Sequence, residues 1–587
     1  MADTLAPSQD DMALIRALDG GWHGVAHAPG APFGTLAPVP DLLALAARTD
    51  GRDFIAALPP QQVYFALKQL DAAEAQEVLP LISQEQFTRI LDYDTWREDR
   101  LQPGKVFEWL KAYAAIGPMQ MGLRFRNLEE EYQLATLDQL IRIYDEEDYE
   151  TMPPEMQDTL YRMPCNTVFY EIVSDDPEVA QTIEQLIESA LSIDVPYAYS
   201  LIGHAAYIPP HESEATLTQF RKARLEEDGF VGMEESQRAF IPLTAAELKA
   251  KQRPLPAGHG GGQALAAPAQ EGARTFLERV WQTARRGYDQ TALEALPARF
   301  AYLVNSLATA TRVEPGQPVA LAALTRRATD LLTVGLEYLS CGDEDQAATL
   351  LLSEHPHTLF RAGLAVIQPL RDAATASLAA WHHTLGERLA AFSRGGKCGA
   401  ALRLIDTDIA PIVGFGAAEA LRGVFSRFPL VPVATDLGQK ARMSSAQNLA
   451  DVRTLAAHVA SLTALLRLYG CADAPHGVPA ERIVATMVGR IALTEDCLAR
   501  PLTATERANL RAVPTPRLQS ALQELASLIA DMPLGTGIGD DILTMPTAPV
   551  VKALTEQLLH DLGAGLILAR EHGTDPNAHV LTAEESP

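Results

Sequence analysis

Three short apolar segments with helical spacing follow one another between Asp53 and Leu110. They open at Leu58, Leu70 and Ile82, at intervals of twelve residues. Each opening is followed by a helix-start signal and then by apolar residues three or four positions apart, as on one face of an α-helix. A helix of two to three turns is marginal on its own in water, so neighbouring helices must pack together. The pattern predicts short stacked helices joined by tight turns.

Two of these helix starts carry a capping box. Asp71 is followed three residues later by Glu74, and Ser83 by Gln86. In this motif the first side chain accepts a hydrogen bond from a free amide of the first turn, and the second side chain reaches back to the amide of the cap. The sequence therefore predicts that helices begin directly after Asp71 and Ser83.

Helical periodicity returns along most of the chain and is interrupted by segments rich in Gly and Pro. The longest interruption reads KAKQRPLPAGHGGGQALAAPAQEG. The prediction is an all-α fold, a superhelical stack of short helices and helical hairpins in two halves joined by a linker. Its parts are a poorly ordered N-terminal segment (1–40), an N-terminal helical-repeat domain (41–248), a Gly/Pro-rich linker (249–272), a C-terminal helical domain (273–570) and a disordered tail (571–587).

Three stretches test the all-helical prediction. Met163–Tyr170 ends in β-branched and aromatic residues and is predicted to be extended. Ile409–Glu419 reads like a buried strand, a glycine turn and a helix, which is the setting of a dinucleotide-binding loop, but Glu419 stands where that loop needs its third glycine. His259–Gly262 has the letters of an esterase oxyanion loop, yet no G-x-S-x-G nucleophile elbow occurs in the chain. We expect His259–Gly262 to act as a hinge between the two halves. The sequence therefore leads us to assign no catalytic and no cofactor-binding residues.

The charge of the chain limits the classes of partner that it can bind. The 587 residues carry a net charge of −27, which argues against a nucleic-acid binder, because Lys and Arg dominate affinity for phosphate. Local basic clusters at Arg221–Arg224 and Lys249–Arg253 have acids close by, so we interpret them as solvated helix faces. The apolar runs Ile409–Leu421 and Gly563–Ala569 are too short for a membrane span of roughly 20 residues. Five cysteines without a C-x-x-C pair suit a reducing cytoplasm.

The window from Glu129 to Glu150 is the most acidic part of the chain, with nine carboxylates against the single base Arg142. An apolar stripe from Leu128 to Tyr144 predicts a helix whose acids face solvent. Clustered carboxylate oxygens are also the ligands that Mg²⁺ prefers, so a metal site is the alternative to an ordinary solvated face, which is favoured. The candidate metal ligands are Glu129, Glu130, Glu131, Asp145, Glu146 and Asp148.

The repeat residues resemble known helical domains. The run LPPQQVYFALKQLDAAEAQEVLPLISQEQFTRIL, within residues 53–110, is similar to the helical cytoplasmic N-terminal domain of magnesium transporters of the magnesium-transporter-E type and to the superhelical repeats of the flagellar motor switch protein G. The whole chain, with DTWREDRLQPGKVFEWL and GLEYLSCGDEDQAATLL, also resembles a family of long bacterial helical cytoplasmic proteins of no established activity. The likeness implies a superhelical fold and does not imply transport.

Three functional hypotheses follow. The first is a non-catalytic scaffold or regulatory protein whose helical surface binds a protein partner. The second is a regulator that responds to magnesium through the acidic window, which a shift in melting temperature with millimolar Mg²⁺ would test. The third is an enzyme of unknown class that uses dispersed carboxylates and histidines. We favour the first, with no nucleic acid and no membrane insertion.

Overall fold

The structure, a computed structural model, confirms the all-α prediction. Helices form nearly all of the regular structure, and short strands form the rest. The predicted N-terminal segment (1–40) and nearly all of the predicted linker (249–272) lie outside the described residues. The structure describes residues 41–97, 100–174, 176–207, 210–252, 275–287, 290–395, 397–433, 442–470, 478, 480–494, 502–530, 559–560 and 563–580.

The chain divides into two compact units. The N-terminal unit comprises the described residues of 26–238 and 295–326, and the C-terminal unit comprises those of 239–294 and 327–587. These units differ from the two predicted halves, because residues 295–326 belong with the N-terminal part of the chain. The helices Gln290–Thr311 and Pro318–Leu339 each contain a point where the chain passes from one unit to the other.

The predicted short helices are present at the start of the N-terminal unit, and both capping boxes form. Asp71 accepts a hydrogen bond from the amide of Glu74 at 2.9 Å, and Ser83 accepts one from the amide of Gln86 at 3.1 Å. The helices up to the small sheet of this unit are α1 (Leu42–Ala46), α2 (Gly51–Ala57), α3 (Pro60–Leu67), α4 (Ala72–Val78), α5 (Gln84–Asp94), α6 (Pro103–Ile116), α7 (Pro118–Arg126) and α8 (Glu130–Leu140).

A helix was predicted to continue to Tyr144, but α8 ends at Leu140 and a strand begins at Ile141. The alternation of Ile141, Arg142 and Ile143 suits a strand, and the strand finds its partner in the predicted extended piece, which is confirmed over its last residues. The elements that follow are β3 (Ile141–Asp145), α9 (Glu146–Thr151), α10 (Pro154–Gln157), β4 (Tyr161–Arg162) and β5 (Val168–Ile172), after a two-stranded hairpin of β1 (Trp96–Arg97) and β2 (Arg100–Leu101).

The three-stranded sheet has the order β3-β5-β4 and is antiparallel throughout. Ile143 is paired with Tyr170, and Tyr170 is paired on its other side with Tyr161. The helices that complete this unit along the chain are α11 (Pro177–Ile193), α12 (Val195–Tyr207), α13 (Pro210–Glu227), α14 (Met233–Arg238) and the part of α17 (Gln290–Thr311) from residue 295 onwards.

Hydrogen bonds explain why residues 295–326 belong to the N-terminal unit. Asn305, which is almost fully buried, exchanges two side-chain hydrogen bonds with Gln61 at 3.0 and 3.2 Å and donates a third to the carbonyl of Asp228 at 2.6 Å. Gly229 adopts a positive φ of 91° beside Tyr302, where an added Cβ would lie 2.7 Å from the ring. Pro297 lies inside helix α17, which continues through it to Thr311.

The C-terminal unit is built around a close helix crossing. An added Cβ at Gly335 would lie 2.1 Å from the carbonyl oxygen of Leu359, and one at Gly363 would lie 2.1 Å from that of Leu331, so these helices touch through their backbones. The helices before this unit's hairpin are α15 (Ala245–Lys251), α16 (Phe276–Gly287), α18 (Pro318–Leu339), α19 (Glu344–Ser353), α20 (Pro356–Trp381), α21 (His383–Arg394), α22 (Cys398–Leu404), α23 (Ala410–Val413) and α24 (Phe415–Phe425).

The rest of this unit packs on the same apolar core, a cluster that runs from Val334 to Val580. Residues 563–571 are helical, and Val580 is fully buried, so the predicted disordered tail is corrected for residues 571–580. The remaining elements are the hairpin β6 (Leu430–Val433) and β7 (Arg442–Ser445), α25 (Leu449–Gly470), α26 (Ala480–Thr494), α27 (Ala504–Leu510), α28 (Thr515–Ala530) and a 3₁₀ turn (Pro576–His579).

The stretch weighed as a dinucleotide-binding loop is helical. Residues Ile405–Ile409 form a π-helical turn that continues into α23, and Gly414, with a φ of 87°, separates α23 from α24. Without a preceding strand the loop cannot present its amides at the end of a parallel sheet. Gly414 is therefore a break between two helices.

One helical segment, Leu449–Arg467, is long and apolar enough to cross a membrane by length and composition alone, and 67% of it is buried inside the protein. The sequence prediction had named shorter apolar runs and missed this one. A core helix of a folded protein meets the same criteria, as the burial of this segment illustrates.

The pH dependence of stability provides a test of the packing at the start of α20. Burial lowers the pKa of His357 to about 4, and the charges of His355 and Arg361 act in the same direction. Because the unfolded chain then binds the proton more tightly, the free energy of unfolding should fall as the pH drops from about 6.5 to about 4. We expect His357→Leu to remove up to about 3 kcal/mol of this loss.

Urea unfolding of the wild type and the variant at several pH values measures the effect. The exposed His383, at the start of α21, provides the control variant His383→Leu. Equal pH dependence in the wild type and His357→Leu would contradict the half-buried, neutral state of His357.

Candidate functional site

Two of the candidate metal ligands are held by positively charged or titratable partners. Glu129 receives both of its contacts from Arg224, at 2.5 and 2.7 Å, and Glu130 lies 2.5 Å from the ring nitrogen Nδ1 of His204. Glu131 lies in the first turn of α8, where a carboxylate is favourable because the amides of the turn point towards it. These three residues therefore sit at the beginning of one helix.

The other three candidate ligands lie beyond the far end of α8. Asp145 caps α9 by accepting a hydrogen bond from the amide of Asp148 at 2.8 Å, and Glu146 begins that helix. Across the described part of the chain, no three His, Cys, Asp or Glu side chains are arranged to hold a metal ion. The structure does not bring the six candidates together, and magnesium binding stays a hypothesis.

The structure instead shows a network of charges that the sequence prediction missed. Asp92, in α5, is fully buried and is clamped by Arg224 of α13, with Nε to Oδ2 at 2.6 Å and Nη2 to Oδ1 at 2.9 Å. Arg224 also holds Glu129, which directly precedes α8. One guanidinium thus joins three helices: Nε and Nη2 contact Asp92 of α5, and Nη1 contacts Glu129 before α8.

A second arginine continues the network on the same two helices. Arg89 of α5 contacts the carbonyl of Arg224 and the carboxylate of Glu227, and it lies 3.2 Å from Oδ2 of Asp228. The buried hydroxyl of Tyr93 donates to the same Asp228 oxygen at 2.6 Å. We call this set the charge network; it consists of Arg89, Asp92, Tyr93, Glu129, Arg224, Glu227 and Asp228.

Burial and pairing act against each other in the charge network. Burial raises the pKa of Asp92, although Arg224 and Arg221 oppose the shift, and burial likewise raises the pKa of Asp228 against its bonds from Tyr93 and Arg89. The pKa of Arg224 is raised, because its bonds to Asp92 and Glu129 outweigh the effect of burial. The arginines remain charged, and the carboxylates depend on them.

Interpreting Arg221–Arg224 as a solvated helix face was wrong. Arg221 is 7% exposed, donates to the carbonyl of Asp92 at 3.1 Å and lies over the ring of Trp96 at 4.9 Å. The sequence did hold a signal: Leu217, Arg221 and Arg224 follow one another at spacings of four and three, so both arginines continue the buried stripe of α13. Charged residues on such a stripe predict buried ion pairs.

The small sheet and its two helices form a second feature, which we call the acidic module (residues 141–172). Residues 145–158 contain seven carboxylates and no base. Neither α9 nor α10 has a buried residue. Tyr149 of α9 is stacked on Phe169 of β5, with ring centroids 3.9 Å apart, and Arg162 lies over both rings. These stacked rings therefore attach the acidic, exposed helix α9 to the sheet.

The acidic module begins and ends at one point of the scaffold. The amide of Val173 donates to the carbonyl of Leu140, the last residue of α8, at 2.8 Å. On the other face of the sheet, Tyr161 and Tyr170 are stacked at 5.2 Å. Burial raises the pKa of Tyr170, and the charges of Glu184 and Glu188 in α11 add to the shift, so this face is directed towards α11.

A small cavity in the N-terminal unit lies between α7, α8, α11 and α12. None of its lining side chains can bind a metal ion or transfer a proton. They are Phe125, Leu137, Leu186, Ile187, Ala190, Ala198, Leu201 and Ile202. The chemically distinctive groups of this unit are therefore in the charge network and the acidic module: the first pairs its charges internally, and the second directs carboxylates outwards.

Comparison with known proteins places most of the chain in a family. Residues 35–394 match the model of a family described as a family of unknown function (DUF6178). The matched range contains both the charge network and the acidic module. No curated protein and no solved structure matches the chain. The likeness of residues 53–110 to the magnesium-transporter and motor-switch domains is not shown by these comparisons.

The pairing of Asp92 with Arg224 predicts a large coupling energy. Removing one partner leaves the other charge buried without compensation, which costs about 3–5 kcal/mol. We expect Asp92→Asn and Arg224→Met each to destabilise the N-terminal unit by about this amount, and the double variant to lose at least about 2 kcal/mol less than their sum.

Urea unfolding followed by circular dichroism measures these free energies. Glu129→Gln serves as the control, because the half-exposed side chain of Glu129 leaves Arg224 its buried partner. Additive effects of the two single substitutions would show that the pair does not act as a unit.

Proposed function

We propose that this chain, which belongs to the family of unknown function DUF6178, is a non-catalytic helical scaffold that binds a protein partner through the acidic module. The proposal is supported by the contrast between two neighbouring features. Each carboxylate of the charge network contacts Arg89 or Arg224, whereas the acidic module has two helices without a single buried residue. Surface of this kind is available for contact.

The way in which the acidic module is attached favours recognition. Arg224 fixes Glu129 at the start of α8, and α8 leads directly into β3. The bond between Val173 and Leu140 closes the module at its base. A binding surface on rigid elements loses less conformational freedom when a partner binds, and so retains more of its interaction energy.

Charge favours a partner with a basic surface. The seven carboxylates between residues 145 and 158 create a negative potential that attracts Lys and Arg and accelerates association at low ionic strength. We place the scaffold in the cytoplasm as part of the same proposal, because five scattered cysteines without a C-x-x-C pair suit a reducing compartment. The magnesium-responsive regulator remains a hypothesis that no contact of the described residues favours.

The test is affinity capture of the full-length tagged protein from its own cell, with two variants of equal charge. The first, Glu146→Gln, Glu147→Gln and Glu150→Gln, neutralises the acidic module. The second, Glu77→Gln, Glu85→Gln and Glu234→Gln, removes the same charge elsewhere on the N-terminal unit. We expect the first to weaken partner binding about tenfold, since three charge pairs of about 0.5 kcal/mol each amount to one decade.

The second variant controls for net charge and should retain the partner. The dissociation constant is then measured with the purified partner in low and high salt, where the difference between the variants should shrink as the salt rises. A partner that is retained equally by both variants would contradict the assignment of the acidic module as the binding surface.

A further inference from the structure

We infer that the outer edge of β3 is a docking site for an extended, basic segment of the partner protein, which adds to the sheet as a fourth strand. This inference rests on the proposed function and specifies the kind of partner and how it binds. Its basis is the hydrogen-bonding pattern of the sheet, which leaves backbone groups of β3 unpaired on the side away from β5.

The register fixes which groups point outwards. The amide of Val173 donates to the carbonyl of Leu140, and Ile141 is paired with Ile172. In an antiparallel ladder, hydrogen-bonded and non-hydrogen-bonded pairs alternate. Arg142 and Tyr144 therefore direct their backbone groups towards β5, whereas the backbone groups of the three alternate residues of β3 point away from the sheet. Those residues are Ile141, Ile143 and Asp145.

Ile143 is the centre of this edge. The amide of Ile141 is taken by the carbonyl of Leu137, at the end of α8. Among the residues that the structure describes, no hydrogen bond reaches the amide or carbonyl of Ile143 from the outer side. A strand that places one residue opposite Ile143 could exchange two bonds with it, and the carbonyl of Ile141 and the amide of Asp145 flank that pair.

Charge identifies the occupant. Asp145, Glu146 and Glu147 follow the open groups directly, and all three are exposed. Pairing of adjacent strands is antiparallel more often than parallel. An antiparallel segment would place the residues two or more positions before its central residue beside these carboxylates, so Lys or Arg is expected at those positions. A second copy of this chain is disfavoured as the occupant, because each copy carries a net charge of −27.

The test uses the full-length protein and a labelled eight-residue peptide in which Lys and Val alternate. Ile143→Pro removes the outward amide and leaves the bonds between β3 and β5 in place, because that amide is not used within the sheet. The matched control Ile143→Ala loses the same side chain but keeps the amide. We expect Ile143→Pro to weaken peptide binding at least about tenfold and Ile143→Ala to weaken it less than about threefold.

Two further measurements keep the test valid if Ile143→Pro disturbs the sheet. The same peptide with alternate amides N-methylated should bind at least about tenfold more weakly to the unaltered protein, since it can no longer pair as a strand. A peptide of the same composition, with its four Val preceding its four Lys, should also bind more weakly, because an antiparallel strand would then place its Lys on the side of the central residue away from Asp145, Glu146 and Glu147.

The outcomes separate this inference from the proposed function. Equal binding of the Ile143→Pro and Ile143→Ala variants, or of the plain and methylated peptides, would overturn edge docking. Absence of peptide binding would overturn it too. In either case the charge variants of the acidic module still decide whether the module binds a partner. Self-association of the wild type that Ile143→Pro abolishes would show that the edge is occupied by a second copy, which also contradicts the inference.

Discussion

A carboxylate that is completely buried needs an opposite charge beside it, and Arg224 provides that charge for Asp92. An isolated buried ion would shift its protonation equilibrium until it was neutral, at a cost of several kcal/mol. The burial of Asp92 therefore holds only while α13 keeps its arginine in place. Because the same guanidinium also binds Glu129, the start of α8 is fixed by the same requirement. Three helices that are distant in the sequence thus share one electrostatic constraint.

This constraint connects the interior of the N-terminal unit to its surface. Glu129 begins α8, and α8 ends where the acidic module begins, so the position of the module depends on a helix that the charge network holds. Each carboxylate of the network contacts Arg89 or Arg224, whereas the module presents carboxylates to solvent and has backbone groups on β3 that its sheet leaves unpaired. Exposed carboxylates beside an unpaired strand edge are an arrangement suited to recognising an extended basic segment.

Local rules predicted the parts of the fold that depend on neighbouring residues. The capping boxes at Asp71 and Ser83 formed as expected, because each cap joins residues three positions apart. The charge network could not be predicted in this way, since the bond between Arg224 and Asp92 spans 132 positions. Strand β3 was misread for the same reason: its partner β5 lies more than twenty residues further along the chain.

For the acidic residues too, the sequence predicted the local features and missed the tertiary contacts. Their clustering and exposure were visible in the sequence, but which of them pair with Arg224 or His204, and which cap a helix, depends on tertiary contacts. The buried arginines of α13 could have been recognised from their positions on an apolar stripe, had that stripe been given more weight than the acids beside it.

Native-state hydrogen exchange measured by mass spectrometry tests the central claim most directly, because it reports local opening along the whole chain. If the charge network locks the base and leaves the acidic module exposed, the amides of α5 and α13 should exchange together and at least about tenfold more slowly than those of α9 and α10. Asp92→Asn should accelerate exchange in α5, α13 and the start of α8 together. Faster exchange confined to the substituted helix, or equal protection of α9 and α13 in the wild type, would contradict this account.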